Sequence, residues 1–268
     1  MNHKQSMDVK KYYEEEYLKY IEDANKQFKR EFINQNCVVP DWKKYIKNKK
    51  ILELGGGAGY FSRYINNSCF LINADLSFPF LKIAKEKYEV LCVQADINKL
   101  PFKINSFDVI MSNGVLVYLD SASFNNLIKT CFYLLKKEGY LLFNEPLWYV
   151  RWFKTYLRLL RLDFLEGVTS ELYQYIAKIR GLVKNDGTIY NRCHPDLYIK
   201  KKKDYVVCLK NNGFSDIFIR PTVINLAPPS IENHFLKITY KLAPYLQLIR
   251  NNVCNYLYVV AKKSSLRK

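Results

Sequence analysis

Residues 51–59 read Ile51-Leu52-Glu53-Leu54-Gly55-Gly56-Gly57-Ala58-Gly59, and this stretch decides the fold. Four of the ten glycines of the chain lie among its last five positions. Glycine adopts positive φ and lets a ligand approach the main chain closely. An apolar run precedes the loop and a helical pattern follows it, so we expect the loop between a strand end and a helix N-terminus. A nucleotide-type ligand in the crevice at the carboxyl end of a sheet is the physical expectation.

Outward from this loop, short apolar runs alternate with helical stretches as far as residue 146. The pattern predicts strands over Lys50–Leu54, Cys69–Ala74, Val90–Gln94, Phe107–Ser112 and Tyr140–Asn144. It predicts helices near Tyr60–Asn66, Phe78–Tyr88 and Ser121–Lys136. This alternation is typical of a Rossmann-like α/β fold, doubly wound, with a mostly parallel seven-stranded sheet and helices on both faces.

The flanking regions have other patterns. Aromatic and apolar residues recur every three or four positions near the start, which predicts an N-terminal helical extension over residues 1–48. Residues 49–268 then form one domain, and we expect a basic, largely helical lid insertion at about 147–200 over the carboxyl edge of the sheet. Beyond it the sequence predicts a helix over Lys201–Asn212 and strands over Gly213–Pro221 and Asn255–Lys262.

The glycine loop departs from the dinucleotide fingerprint, because Tyr60 or Ser62 stands where G-x-G-x-x-G places its third glycine. Residues 53–59 instead resemble the E-x-G-x-G-x-G first motif of class I S-adenosylmethionine-dependent methyltransferases. Later segments resemble the following motifs of that family in order and spacing: Asn73-Ala74-Asp75-Leu76-Ser77, Gln94-Ala95-Asp96-Ile97, residues 107–114 and residues 134–142.

The resemblance implies S-adenosyl-L-methionine as cofactor. Asp75 is then expected to accept hydrogen bonds from the ribose hydroxyls, and Asp96 to lie near the adenine amino group with Ile97 against the ring. The full implied set of cofactor-binding residues is Glu53, Gly55, Gly57, Gly59, Asp75, Leu76, Asp96, Ile97 and Asn113. From the residues alone, Asp75 and Asp96 could equally be caps at strand ends. Glu53 could serve only to fix the loop, and Asn113 could be a turn residue.

Two residues are candidates for catalysis. Glu145 ends the fifth predicted strand and faces the crevice rim, where it could orient a substrate or act as base. Its alternative is a cap or salt bridge before Pro146. His194 is the second candidate because imidazole titrates near neutrality, although a lone histidine before a proline is usually a surface or packing residue.

Positive charge is spread unevenly along the chain. Lys and Arg number 42 against 25 Asp and Glu, a net charge of +17. Residues 1–50 carry 12 basic and 8 acidic side chains, residues 51–146 carry 9 of each, and residues 147–268 carry 21 and 8. The predicted cofactor-binding part is therefore neutral, and the excess lies mainly in the part expected to cover or present the acceptor. The excess of Lys over Arg leaves codon bias as an alternative origin of the charge.

The methyl acceptor stays open at this stage. A small-molecule or lipid-linked acceptor under a helical lid is favoured by the neutral cofactor segment. RNA methylation through the basic C-terminal part is the alternative, although Ser112-Asn113-Gly114-Val115 replaces the Asn-Pro-Pro-Tyr-type tetrapeptide common in amino-methylating nucleic-acid enzymes. A non-catalytic scaffold that binds the cofactor is a third hypothesis. The oligomeric state is not indicated.

The cysteine pattern and the hydropathy indicate a cytoplasmic protein. Seven cysteines with no C-x-x-C pair are typical of reduced intracellular thiols, and no zinc or other metal site is expected. No apolar run is long and uncharged enough to span a membrane. Arg151, Lys154, Arg158 and Arg161 recur at helical spacing, which suggests peripheral contact with an anionic membrane surface or simply a solvated helix face.

Overall fold

The computed structural model describes residues 9–16, 39–65, 69–146, 188–189, 197–198, 200–224 and 254–264. Its helices are α1 (Val9–Lys11), which continues as a π-helical turn Tyr12–Glu16, and α2 (Val39–Ile46), α3 (Phe78–Tyr88), α4 (Ser121–Leu134) and α5 (Lys202–Asn211). Two 3₁₀ turns span Ser62–Tyr64 and Leu116–Tyr118. The strands are β1 (Lys50–Leu54), β2 (Phe70–Asp75), β3 (Leu91–Gln94), β4 (Phe107–Asn113), β5 (Leu135–Pro146), β6 (Thr188–Ile189), β7 (Leu197–Tyr198), β8 (Phe214–Ile224) and β9 (Cys254–Lys263).

Seven strands form one sheet in the order β3-β2-β1-β4-β5-β9-β8. Strands β1 to β5 pair in parallel, whereas β9 runs antiparallel to both of its neighbours, β5 and β8. The chain winds outward from β1 to β3 and then returns to β4 on the other side of β1. Because the winding direction reverses there, the carboxyl ends of β1 and β4 are the place where sheets of this kind form their ligand crevice.

Hydrophobic residues fill both faces of this sheet. Leu52 points to one face and packs with α4 and α5, while its neighbour Ile51 points to the other face and packs with Trp42 of α2. Trp42 is fully buried, and its ring meets Phe61 edge to face at 4.7 Å between centroids. A parallel sheet covered on both sides is expected to have such uninterrupted apolar strands.

Local signals explain where the helices begin and end. Helix α3 has Pro79 in its first turn and ends at Glu89, whose φ of 54° lies in the left-handed region. Asp120 caps α4 by accepting the Ser123 N–H at 2.7 Å. Asp204, in the first turn of α5, accepts the backbone N–H of Lys201 at 2.7 Å.

Most of the predicted elements between residues 50 and 146 are confirmed, and β1 and α3 match residue for residue. The predicted helix near Tyr60–Asn66 is wrong over its described residues, where a single 3₁₀ turn ends at the extended residue Ile65. The Ser62 hydroxyl donates to the Glu53 carboxylate and so ties this turn to β1. Strand β5 starts at Leu135, earlier than predicted, because a bulge opposite Phe107 and Val109 extends the pairing.

The insertion at 147–200 is described at only a few positions. Thr188–Ile189 and Leu197–Tyr198 pair as two short antiparallel strands, and the largely helical character of the insertion stays a prediction. Apart from Lys200, the rest of the predicted lid lies outside the described residues, as do residues 1–8 and 17–38 of the predicted N-terminal extension. Residues 9–16 are helical, and the domain division at residue 48 stays a prediction. None of the helices among the described residues is long and apolar enough to cross a membrane.

Candidate active site

The glycine loop follows β1 directly and is hydrogen-bonded to the neighbouring strand β2. Gly55 donates its N–H to the Ala74 carbonyl at 2.7 Å and has a φ of 63°. A Cβ on Gly56 would lie 2.6 Å from the side-chain oxygen of Asn73 and 2.7 Å from the Glu53 carboxyl carbon. A side chain at this position would therefore displace the buried polar groups that support the loop.

Asp75 fixes the loop from the carboxyl end of β2. Its Oδ2 accepts the Gly57 N–H at 2.9 Å, and its Oδ1 accepts the Ser77 N–H at 2.8 Å. Burial raises the pKa of this carboxyl, and the hydrogen bonds from the backbone N–H groups of Ser77 and Gly57 act in the opposite direction. A carboxylate has about four acceptor positions, so two such bonds leave capacity for a ligand diol.

Glu53 supports the loop from beneath. Its side chain is 2% exposed and its Oε2 accepts the Ser62 hydroxyl. Burial raises the pKa of Glu53 to about 7, the Ser62 hydrogen bond lowers it, and the nearby charge of Asp75 raises it. Asn73 completes this layer by donating its amide to the Gly57 carbonyl at 2.9 Å. The observed contacts of Glu53 are thus those of a loop-fixing residue.

Asp96 and Ile97 follow β3, at the same edge of the sheet as Asp75. Asp96 is exposed, and its Oδ1 accepts both the backbone N–H and the side-chain amide of Asn98, at 2.8 and 2.9 Å. Ile97 packs partly against the main core. The carbonyl of Leu76 accepts the side-chain amide of Gln94 at 3.1 Å, which joins β2 to β3 at this edge. The predicted contacts of Asp96 and Ile97 with the adenine of the cofactor stay predictions.

Buried polar groups line the ends of β4 and β5. The side chains of Asn113 and Asn144 are hydrogen-bonded at 3.0 Å, and Gly114 donates its N–H to the Asn144 carbonyl at 2.9 Å. Among the described residues, several buried oxygens at this edge of the sheet have no hydrogen-bond partner: Asn73 Oδ1, Ser77 Oγ, Ser112 Oγ, Asn144 Oδ1 and Glu145 Oε2. Unpaired buried acceptors and hydroxyls are costly, and a polar ligand in the crevice would satisfy them.

Glu145 lies behind these groups and is fully buried. Its Oε1 accepts the Val115 N–H at 3.1 Å and so holds the turn that follows β4. Burial raises the pKa of Glu145 to about 7, while the backbone N–H groups of residues 115–117 and the charge of Lys200 lower it. Glu145 thus caps the turn, which is the alternative to a catalytic role that the sequence left open. Its role as catalytic base stays a prediction. His194 lies outside the described residues.

Lys200 holds the turn after β4 from the side opposite Glu145. The sequence did not identify Lys200 as a site residue, because it begins the charged run 200–203. Its ammonium donates to the carbonyls of Leu116, Leu119 and Tyr198 at 2.9, 2.7 and 3.0 Å. Burial lowers the pKa of Lys200 to about 8, and the charge of Glu145 acts in the opposite direction. A charged lysine buried on three carbonyls has no signature in the sequence.

The fold and the glycine loop define the class of protein. It is a doubly wound α/β domain of the kind that binds nucleotide-type ligands where the strand order reverses, between β1 and β4. Residues 52–143 match the methyltransferase domain family. A ubiquinone/menaquinone biosynthesis C-methyltransferase of Haemophilus ducreyi is 26% identical over 204 residues, which is 66% of this chain and 71% of that enzyme. Residues 52–143 therefore form a methyltransferase domain, and the chain has the fold of S-adenosylmethionine-dependent methyltransferases.

Solved structures agree with this fold. An S-adenosylmethionine-dependent methyltransferase of Archaeoglobus fulgidus superposes with a TM-score of 0.57 at 15% identity, covering 93% of this chain and 100% of that one. Phosphoethanolamine N-methyltransferase 2 of Haemonchus contortus, in complex with phosphomonomethylethanolamine and S-adenosylhomocysteine, superposes with a TM-score of 0.59 at 18% identity. That match covers 97% of this chain and 61% of the Haemonchus contortus enzyme.

S-adenosylmethionine is the cofactor of this family, and the residues present fit it. The glycines of the loop place no side chain of their own between the main chain and a ligand. Asp75 offers a carboxylate of the kind that binds a diol, and the buried oxygens of Ser112 and Asn144 need polar partners. Asp75, the loop glycines and the end of β4 are therefore the groups that would hold the cofactor.

Replacing Asp75 with alanine is expected to weaken S-adenosylmethionine binding about 100-fold. It removes the carboxylate that is expected to bind the ribose diol, and hydrogen bonds to a charged group contribute about 1.5–3 kcal/mol each. Isothermal titration calorimetry measures the change. Asp120→Ala is the matched control, because it also removes a carboxylate that accepts a backbone N–H, but at the start of α4. Unchanged affinity in Asp75→Ala would contradict this placement of the cofactor.

The stability of the protein is expected to fall between pH 5 and 7. Glu53 and Glu145 have folded pKa values of about 7, above their ordinary value of 4.5, so the folded state binds more protons across this range. As the pH rises, each glutamate lowers the free energy of unfolding by up to about 1 kcal/mol per pH unit. The reason is that its raised pKa favours the folded state only while the carboxyl is protonated.

Urea denaturation of Glu145→Gln at pH 5, 6 and 7 tests this dependence. The variant lacks one titrating group, so its free energy of unfolding should fall less steeply than that of the wild type. Glu86→Gln, an exposed glutamate on α3, should keep the wild-type slope. Identical slopes in Glu145→Gln and the wild type would show that Glu145 does not titrate in this window.

Proposed function

We propose that the protein transfers a methyl group from S-adenosylmethionine to a small-molecule or lipid-linked acceptor by in-line displacement. The observation that carries the proposal is the layer of buried polar groups at the ends of β4 and β5, beside the cofactor loop. Ser112 and Asn144 are at most 1% exposed and keep oxygens without partners in the described part of the chain. Such a recessed surface suits a compact polar group better than a nucleic-acid backbone.

The bound cofactor supplies an electrophilic methyl group on a sulfonium, so the protein has chiefly to align an acceptor and exclude water. Asn113 and Asn144 are hydrogen-bonded to each other at 3.0 Å, which gives their amides one fixed orientation at the crevice. A polar atom of the acceptor bound to these amides would be held next to the end of β4. Gly114, with a φ of 73°, lets the chain turn there without a side chain in the way.

Proton transfer is assigned to Glu145 in this proposal, with His194 as the second candidate. The support is that Glu145 Oε2 has no partner among the described residues and that its pKa lies near 7, a value suited to a general base. Because the group is fully buried, it would act on an acceptor atom or a water placed within the site.

The similar proteins support a small acceptor. One is named for C-methylation in ubiquinone and menaquinone biosynthesis and another for N-methylation of phosphoethanolamine. The even balance of 9 basic and 9 acidic residues over 51–146 also favours an acceptor other than RNA, since phosphate contacts supply most of the affinity of nucleic-acid enzymes.

Methyl-labelled S-adenosylmethionine identifies the acceptor class. The purified protein is incubated with the labelled cofactor and with cell extract divided into small-molecule, lipid and RNA fractions. Label is expected in the small-molecule or lipid fraction and should be lost in Asp75→Ala. Label in the RNA fraction would instead support the RNA alternative. Cofactor binding without label in any fraction would support the non-catalytic scaffold and contradict methyl transfer.

We further propose peripheral contact with an anionic membrane through Arg151, Lys154, Arg158 and Arg161, which lie outside the described residues. The support is their helical spacing within an aromatic and aliphatic segment. The full chain is expected to float with vesicles that contain anionic lipid and to stay in solution with neutral vesicles. Reversing Arg151, Arg158 and Arg161 to glutamate should abolish flotation. Flotation that is absent, or unaffected by the reversal, contradicts the proposal.

A further inference from the structure

Tyr13 attaches the N-terminal segment, residues 9–16, to the domain, and its neighbour Tyr12 is buried. Tyr12 is 8% exposed and lies 5.2 Å from Tyr13 between ring centroids. Tyr13 packs edge to face with Phe80 at 6.0 Å and with Tyr118 at 5.7 Å. The hydroxyls of Tyr13 and Tyr118 are hydrogen-bonded at 2.7 Å across 105 residues of sequence.

The two partners of Tyr13 follow the two strands that flank β1. Phe80 belongs to α3, which follows β2, and Tyr118 ends the turn that follows β4. Strands β2 and β4 are the two neighbours of β1, so they lie about 10 Å apart. A single side chain that contacts both partners must therefore cross the carboxyl end of β1, where residues 55–59 begin.

Phe80 and the turn that carries Tyr118 both border the glycine loop. The Phe80 ring comes within 3.5 Å of the position that a Cβ on Gly57 would occupy, beside Asp75. On the other side, Val115 of the turn packs directly over Gly55. Tyr13 thus joins the ribose side of the crevice to the side formed by the end of β4. The segment also contains a π-helical turn, a rare geometry that is frequent at functional sites.

We propose that Tyr13 and Tyr118 are positioning residues that close the crevice over bound S-adenosylmethionine. Their paired hydroxyls hold the N-terminal segment across the glycine loop and keep water from the methyl-transfer site. The cofactor cannot leave past Tyr13 until this hydrogen bond breaks, so the pair controls cofactor exchange. This inference rests on the proposed function, because it assumes the same cofactor site. It assigns a covering role to the N-terminal segment, whereas the sequence predicted a lid only in the insertion 147–200.

The dissociation rate of the cofactor tests this directly and needs no acceptor. Bound S-adenosylmethionine is displaced by an excess of S-adenosylhomocysteine in a stopped-flow or filter assay. Tyr13→Phe and Tyr118→Phe keep the ring contacts but remove the hydroxyl bond, and each is expected to raise the rate about 3- to 10-fold. The double variant should dissociate no faster than either single variant, because all three lack the same bond.

Tyr133→Phe is the matched control, since this exposed tyrosine lies on α4 and removal of its hydroxyl should leave the rate unchanged. Tyr13→Ala also removes the ring contacts and is expected to dissociate faster than Tyr13→Phe. Unfolding of each variant by urea is measured alongside. A lower stability with an unchanged dissociation rate would show a purely structural role and overturn the proposal.

Other outcomes are equally decisive. If the effects of Tyr13→Phe and Tyr118→Phe multiply in the double variant, the two hydroxyls act independently and the proposed pairing is wrong. If the wild-type protein binds the cofactor but methylates no acceptor, only the proposed function is contradicted. The dissociation rates still report whether Tyr13 covers the crevice. Unchanged rates in an active enzyme overturn this inference alone.

Discussion

The carboxylate of Asp75 is the interaction on which the site depends. One oxygen accepts the Gly57 N–H and the other accepts the Ser77 N–H. The first bond fixes the glycine loop after β1, and the second fixes the start of α3 after β2. A single side chain therefore sets the relative position of the two segments that form one wall of the crevice. Because its lone pairs are only partly used, the same carboxylate can also receive a ligand.

A second buried arrangement fixes the opposite wall. The Glu145 carboxylate receives the Val115 N–H, while the Lys200 ammonium donates to the carbonyls of Leu116 and Leu119. An anion at the amino end of a short helical turn and a cation at its carboxyl end both match the orientation of its peptide dipoles. The turn is thus held at both ends by buried ionisable side chains, next to Gly114 and Asn113 at the end of β4.

The two walls meet in the N-terminal segment. Tyr13 contacts Phe80 on the side fixed by Asp75 and Tyr118 on the side fixed by Glu145 and Lys200. If either wall shifted, the hydroxyl bond between Tyr13 and Tyr118 would lose its 2.7 Å geometry. The N-terminal segment therefore covers the crevice only when both walls are in place. In this way the rate of cofactor exchange depends on the geometry of the whole site.

The sequence by itself determined the class of fold and the cofactor loop. Strand β1 and helix α3 were predicted to the residue, because apolar periodicity, the glycine cluster and Pro79 act locally along the chain. Only the tertiary structure decided the contacts that complete the site: Glu53 on Ser62, Lys200 on the turn after β4, and Tyr13 on Tyr118. The last two pairs are separated by 84 and 105 residues, and no periodic pattern encodes them. They form because the winding of the sheet brings the ends of β1, β2 and β4 to one edge, where distant side chains meet.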